Sequence, residues 1–559
     1  MGGHVNMMDD VLISNLPVEL LRSSLRCVVA NESSAQQPFV QHVRQRLLEA
    51  PPAFIAAEQV FDSATTPSQA CLDYLAQVRC MFSSKLATNA LPYLSHFVEC
   101  LSATATRPQS GSELANTVAK FGGDAVQAVQ ALKETKPAAT PILRSELERL
   151  LGAFSAYRKT YDEANDSLYP LARPERSVSD AFEHFFPSQA MSSTSDIDAI
   201  FIETLKQSLV DTFSLGRHQV PRLFNGLWQL SSPAWGSASA SEQDAALVQL
   251  VEAGLNAADM ADHYGDAELI YGDFRNRLPP EVRDNVFAAT KWCVFGPIGH
   301  SITHQWVLEA VKERSRRLRG RVELLQFHWY DYTAKEYLDI LVELVKITEQ
   351  YPELVSSIGL CNFDSKHTRE ACEHLLAKTG KVGIVSNQVQ FSLVDARPLR
   401  AMSDVCKKYD LKLLTYGTFC GGFLSSRWLG KEFPALYSSS TPLTPSQRKY
   451  LDMITTWASW AEFQKLLQVL DDIARKHRVS LTNVATRWVL QQEAVGAVIV
   501  GTRLGVSVHD KENVNAFTFE LDGEDMQNID DVALGHDQQK VIELFSRLGD
   551  CGQEYRALH

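Results

Sequence analysis

Residues 256–265 read Asn-Ala-Ala-Asp-Met-Ala-Asp-His-Tyr-Gly. The run Leu255–Asp259 has the length and apolar character of a short buried strand. Asp259 ends it, and Tyr264 follows five residues later, just before Gly265, where the chain must turn. Loops at strand ends carry chemistry on rigid scaffolds, so an acid and a phenol placed this way make a proton-handling pair. Taken alone, the stretch fits equally well a buried acid capping a loop, with a tyrosine packed at its edge.

Working outward, short β-like runs alternate with longer amphipathic segments from about residue 220 onward. The strand candidates are Leu223–Leu230, Leu255–Asp259, Val286–Lys291, Val322–His328, Ser357–Asn362, Ile384–Gln388, Leu411–Tyr416 and Val498–Gly501. Helical patterns at Glu242–Ala253, Thr303–Arg319, Lys335–Gln350, Asp364–Thr379, Arg400–Tyr409 and Phe463–His477 lie between them. Eight strands with helical crossovers predict an α/β fold, a parallel (β/α)8 TIM barrel. The competing doubly wound sheet usually carries a glycine-rich phosphate loop, and neither GxGxxG nor GxxxxGK[ST] occurs in the chain. A barrel collects its functional residues at the C-terminal ends of its strands. Asp259 ends the second strand candidate, Lys291 the third and His328 the fourth. Singly, each has an ordinary structural explanation; together they are chemically complementary.

These stretches resemble the aldo-keto reductase superfamily. The resemblance runs through GLWQL at 226–230, DMADHYGDAE at 259–268, ATK at 289–291 and LLQFHW at 324–329. It continues through IGLCNF at 358–363, SNQVQFS at 386–392, LLTYG at 413–417 and VGTR at 500–503. It covers about residues 215–535, in the family's order, and leaves the first 190 residues outside. It implies that Asp259, Tyr264, Lys291 and His328 form a catalytic tetrad. Reducing a carbonyl needs a hydride on carbon and a proton on the developing alkoxide. An unperturbed tyrosine titrates near pH ~10; a lysine ammonium beside it favours the phenolate, and an aspartate holds that lysine. His328 would orient the carbonyl and help relay the proton.

The resemblance also implies a nicotinamide cofactor, NADP with NAD not excluded. Cys361, Asn362 and Gln388 would hold the carboxamide, and Tyr416 would stack on the ring. Gly501, Arg503, His509, Glu512 and Asn513 would hold the adenosine end, with Arg503 suited to a 2'-phosphate. Two positions depart from the family pattern: Cys361 stands where a serine is usual, and His509 where a second arginine is frequent. Trp228, Trp292, Trp329 and Phe419 would wall a pocket for a moderately apolar carbonyl substrate, an aldehyde, ketone or quinone. The segment Gly421–Trp460 after the seventh strand would fold over the site as a lid.

The chain has 559 residues, too many for one ordinary core. Residues 1–190 read as helix after helix and form the expected mainly α-helical N-terminal domain. Apolar stripes begin at Pro17–Val29 and recur at Val40–Leu48, Ala70–Phe82, Ala90–Leu101, Ala125–Leu132 and Leu143–Tyr157. Residues 191–214 are expected to form a linker and entry helix; the serine-rich Ser188–Asp198 is the linker candidate, and the helix-like Ala199–Leu209 follows it directly. Residues 215–559 complete the barrel and its tail. A net charge of −13 argues against nucleic acid or an anionic membrane surface as partners. No apolar run reaches the ~18 residues of a membrane span, and the first ten residues lack a secretory pattern. Ten scattered cysteines without a CxxC pair predict reduced thiols, no metal site and a cytoplasmic location. Two functions compete: an NAD(P)H-dependent carbonyl reductase, and a cofactor-binding sensor whose helical N-terminal region docks a protein partner.

Overall fold

The computed structural model describes residues 12–31, 33–63, 65–164, 169–187, 199–200, 202, 209–231, 235–236, 238–434, 443–507 and 509–556. The serine-rich stretch 188–198 and most of the helix expected over 199–209 lie outside these residues.

The helices described before the barrel include α1 (Val18–Asn31), α2 (Ser33–Glu49), α3 (Gln69–Ser83), α4 (Ala87–Ala103), α5 (Glu113–Thr135), α6 (Pro141–Asp162) and α7 (Ala172–Phe185). Their starts are written in the chain. Ser68, Ser112 and Thr140 each accept a backbone N–H three residues on, which satisfies donors that a helix start leaves open. Pro141 follows Thr140 at the first helical position, where its fixed φ fits and its missing N–H costs nothing. The apolar stripes of α3–α7 form one buried cluster that includes Leu94, Phe97, Phe121, Leu147 and Phe154. Phe97 and Phe121 meet with ring centroids 4.5 Å apart. The only strands described in this region are the short antiparallel pair Phe61–Ser63 and Thr66–Pro67.

All eight expected barrel strands are present: β1 (Leu223–Gly226), β2 (Ala257–Asp259), β3 (Phe287–Val294), β4 (Val322–Trp329), β5 (Val355–Cys361), β6 (Ile384–Gln390), β7 (Lys412–Tyr416) and β8 (Val495–Gly501). They pair in parallel, each with its neighbour in sequence, and β8 closes on β1. The fold is a closed (β/α)8 barrel, and the region before it is helical. A hairpin of Thr212–Leu215 and His218–Pro221 precedes β1.

Side chains alternate across a strand with period two. One set points into the barrel, and its lower layers are apolar: Phe224, Ala257, Phe287, Ala289, Leu324, Leu414 and Ala497 cluster with Leu215 and Val220 of the hairpin. Continuing the same parity toward the C-terminal ends reaches Asp259 on β2, Lys291 on β3, Gln326 and His328 on β4, Gln388 on β6 and Tyr416 on β7. The strand pattern that fills the barrel floor thereby delivers polar groups to its mouth.

Candidate active site

Lys291 lies at the centre of the barrel mouth. Its ammonium donates to Asp259 Oδ2 at 2.5 Å, to the Met260 carbonyl at 3.0 Å and to the Tyr264 hydroxyl at 3.4 Å. An ammonium has three donors, and all three are engaged. Asp259 Oδ1 accepts from Gln326 Nε2 at 2.8 Å and from Gln388 Nε2 at 2.7 Å. Gln388 Nε2 also donates to Gln326 Oε1 at 2.8 Å. Asp259 and Lys291 are almost fully buried. Removing two such charges from water is repaid only when their remaining bonding capacity is filled, and the two glutamines fill it.

Burial drives the Tyr264 phenol pKa upward; the Lys291 ammonium pulls it back, and the net shift is up. Burial lowers the Lys291 pKa, but the Asp259 carboxylate outweighs it and the ammonium is held charged. At neutral pH the pair is therefore a protonated phenol beside a permanent cation. Burial also pushes the Cys361 thiol up to about 12, with Lys291 opposing it.

An open cleft of about 1820 Å3 lies over this cluster. Asp259, Tyr264, Lys291 and His328 all line it, as do Cys361, Asn362, Gln388, Tyr416, Gly501, Arg503 and His509. Asn362 adopts φ +57° at the end of β5, and its Oδ1 accepts the Tyr416 hydroxyl at 2.8 Å. Arg503 is exposed, and its Nε donates to Ser507 Oγ at 3.1 Å. Glu512 and Asn513 sit on the short helix Asp510–Val514, outside the lining, and Glu512 approaches His509 at 3.6 Å.

Of the four aromatic wall candidates, Trp228 and Phe419 line the cleft. Trp228 packs on Trp235 with centroids 4.8 Å apart. Trp292 and Trp329 do not line it. Trp292 is buried between Trp306 and Phe327, and Trp329 beside Phe327 and Tyr337. Strand parity is the reason: each adjoins an inward-pointing residue, Lys291 or His328, so each points outward to the helical layer.

Several residues at or beneath the cleft are not foreseen from the sequence. Gln326 shares the inward parity of His328, which is the signal that could have found it. Lys449, Tyr450 and Tyr555 come from elements remote in sequence: the helix Pro445–Trp457 and the tail helix Gln553–Arg556. Lys449 Nζ lies 5.4 Å over the Tyr416 ring and hydrogen-bonds the Tyr555 hydroxyl. The Tyr555 ring also stands 6.3 Å from that of His328. Part of the Gly421–Trp460 segment thus does reach over the site. Arg22, Leu25 and Phe39 of α1 and α2 contribute to the cleft's wall. Beside Tyr264, the ligand-type atoms of Asp262, His263 and Cys293 lie within 4.8 Å of one another. Asp262 already accepts the Cys293 backbone N–H at 3.1 Å and lies 4.0 Å from Arg314.

The description "Aldo/keto reductase family" matches residues 222–534, more than half of the chain. The chain belongs to the aldo-keto reductase family. Helices α1–α7 lie outside the match. The chain is similar to flagellar radial spoke protein 5 of Chlamydomonas reinhardtii, with 30% identity over 209 residues. That match covers 35% of this chain and only 36% of the radial spoke protein. It is 26% identical over 307 residues to the 9,11-endoperoxide prostaglandin H2 reductase of Trypanosoma cruzi, covering 54% of this chain and 87% of that one. A solved thermostable aldo-keto reductase in complex with epalrestat covers 57% of this chain and 99% of its own, at 20% identity and a TM-score of 0.41. Aldo-keto reductase membership supports an oxidoreductase role, and the family generally uses nicotinamide cofactors.

The residues present fit such a cofactor. The cleft runs from Tyr416 and Asn362 to Gly501, Arg503 and His509. Gln229 also lines it, and the buried Gln229 Oε1 has no hydrogen-bond partner among the described residues, leaving an acceptor for a ligand's donor. A Cβ at position 501 would meet Gln229 Nε2 at 2.1 Å, so glycine at the end of β8 makes room for the Gln229 amide.

Proposed function

We propose that the barrel reduces a carbonyl compound, an aldehyde, ketone or quinone, with NADPH as the hydride donor and Tyr264 as the proton donor. The observation that carries this reading is the Lys291 ammonium, bonded to both Asp259 and Tyr264 at the floor of an open cleft. A bound reduced nicotinamide supplies the hydride to the carbonyl carbon. Tyr264 gives its proton to the carbonyl oxygen, and the Lys291 cation, 3.4 Å away, stabilises the phenolate left behind. Asp259, clamped by Gln326 and Gln388, holds that cation in register. His328 lines the same cleft and orients the carbonyl oxygen. Tyr416 lines the cleft and would offer a ring face on which a nicotinamide could stack.

NADPH is preferred over NADH because Arg503, exposed at the end of β8, suits a 2'-phosphate. Purified protein should oxidise NADPH in the presence of small aldehydes or quinones. Tyr264→Phe should lower kcat by roughly 10²–10⁴-fold while a cofactor fluorescence titration stays unchanged. Full turnover in that variant would sink the mechanism.

A second role, compatible with the first, is favoured by the likeness to a radial spoke protein. Leu12, Ile13, Val18, Leu20, Leu25 and Val28 are exposed on and beside α1. We read the mainly helical residues 1–190 as a domain that docks the reductase on a protein partner, with residues 191–214 linking it to the barrel domain 215–559. Among the described residues, no helix is long and apolar enough to cross a membrane. A cytoplasmic location is part of this proposal. Tight NADPH binding without turnover on a broad carbonyl panel would leave the docking role as the main one.

A further inference from the structure

The loop that carries Tyr264 is held from outside the barrel. Immediately after Tyr264, the Gly265 carbonyl accepts from Arg317 Nη2 at 2.7 Å. Asp266, nearly fully buried, accepts a two-pronged bond from Arg173 of α7, at 2.8 Å from Nε and 2.7 Å from Nη2. The same Arg173 Nη2 donates to the Leu230 carbonyl at 2.8 Å, in the segment after β1. Arg317 is itself set by two carboxylates: Glu268 at 2.6 Å, and Asp180 of α7 by a short bond. Glu268 in turn accepts from Thr290 Oγ1 at 2.5 Å, one residue before Lys291. Val126 of α5 lies against Gly265, within 3.2 Å of where a Cβ would stand. The chain around Tyr264 is thus braced on one side by Lys291 and on the other by Arg317 of the barrel helix His304–Arg317 together with α5 and α7, which precede the barrel.

We propose that α7 acts on the reaction, with Arg173 and Asp180 as positioning residues that hold Tyr264 in reach of Lys291 and the substrate. This rests on the reading of Tyr264 as the proton donor. The physical argument is the strictness of the contacts. A guanidinium fork on a buried carboxylate fixes distance and direction together, and such a pair is hard to replace with water. Catalytic geometry is sensitive to shifts of about 1 Å, and a misplacement caused far from the chemistry can cost roughly 10²-fold. The N-terminal helices are then a built-in part of the enzyme, and a partner that grips them acts on turnover through α7.

The test uses the full-length chain. Arg173→Gln and Asp180→Asn should each lower kcat on the order of 10- to 100-fold, with the cofactor Kd unchanged. Arg173→Lys keeps the charge but loses the fork, and should recover part of the loss. The control is Arg149→Gln, which breaks the more exposed Arg149–Glu99 pair between α6 and α4 and should leave kcat unchanged. Hydrogen exchange of residues 261–268 supplies a readout free of turnover: both α7 variants should exchange faster there than the wild type. If one variant fails to fold, the other carries the comparison. Unchanged kcat in a folded variant overturns the proposal, whatever the exchange shows. A wild type that reduces no carbonyl overturns the reading of Tyr264 and this proposal's catalytic part with it; unchanged exchange then overturns the brace as well.

Discussion

At the level of single residues, Lys291 concentrates the chemistry because every donor it owns has an assigned partner. Asp259 is matched in the same way, by one ammonium and two amides. Lys291→Met leaves a buried carboxylate without its cation, and should cost about 3–5 kcal/mol of stability. The double variant Asp259→Asn, Lys291→Met removes both charges and should recover most of that loss; urea unfolding of the two proteins decides it. Tyr264 supplies the pH prediction. Burial raises its pKa and Lys291 only partly reverses this, so the proton donor stays loaded through neutral pH. The rate of carbonyl reduction should hold its proton-donor limb to beyond pH ~10, and a kcat profile falling with a midpoint near 7 would contradict it. The raised phenol pKa also stabilises the fold below that pH, and this contribution is lost as pH rises through the folded value.

Among the elements, two helical glycines separate propensity from packing. Replacing a helix glycine by alanine gains about 1 kcal/mol in propensity. At Gly152 in α6 a Cβ meets nothing within 4 Å, so Gly152→Ala should stabilise the protein by about that amount. Gly272 lies in the helix Ala267–Arg277, and a Cβ there would stand 2.7–2.8 Å from backbone atoms of Leu318. Backbone cannot swing aside, overpacking costs about 1–3 kcal/mol, and Gly272→Ala should come out destabilising. Thermal melts of both variants test the pair. The same level explains the misplaced tryptophans. Lys291–Trp292 and His328–Trp329 are adjacent pairs, and a strand sends adjacent residues to opposite faces. Once Lys291 and His328 were assigned to the mouth, period two already excluded Trp292 and Trp329 from it and admitted Gln326.

Over the whole molecule, the apolar clusters of the helical region and of the barrel are separate among the described residues, and buried ion pairs link the two. Asp180 and Asp266 are both buried at that meeting. Burial raises their pKa values, but Arg317 and Lys133 for Asp180, and Arg173 for Asp266, overcome it and hold both carboxyls below their ordinary range. A carboxylate with a depressed folded pKa stabilises the protein above its unfolded pKa of ~3.9 and loses that contribution as pH falls through the folded value. Asp266→Asn should therefore be less stable than wild type at neutral pH, and the gap should narrow as pH drops below ~4. Urea unfolding at the two pH values measures it; a gap that persists at acid pH would rule out the ion pair as its source.

The barrel was legible in the sequence because its information is local. Strand runs, helical stripes and the polar residues that end β2, β3 and β4 are each a few residues long, and their order specifies the fold. All eight strands and the mutual placement of Asp259, Tyr264 and Lys291 follow from that order. Which of the surrounding groups bond to one another was not legible, because the partners lie far apart in the chain. Gln388 meets Asp259 across 129 positions, and Arg173 meets Asp266 across 93. Lys449 and Tyr555 reach the cleft from a helix and a tail that carry no motif. A hydrogen bond requires two groups at one point in space, and only the closed barrel, with the helices that precede it packed on its side, brings those groups together.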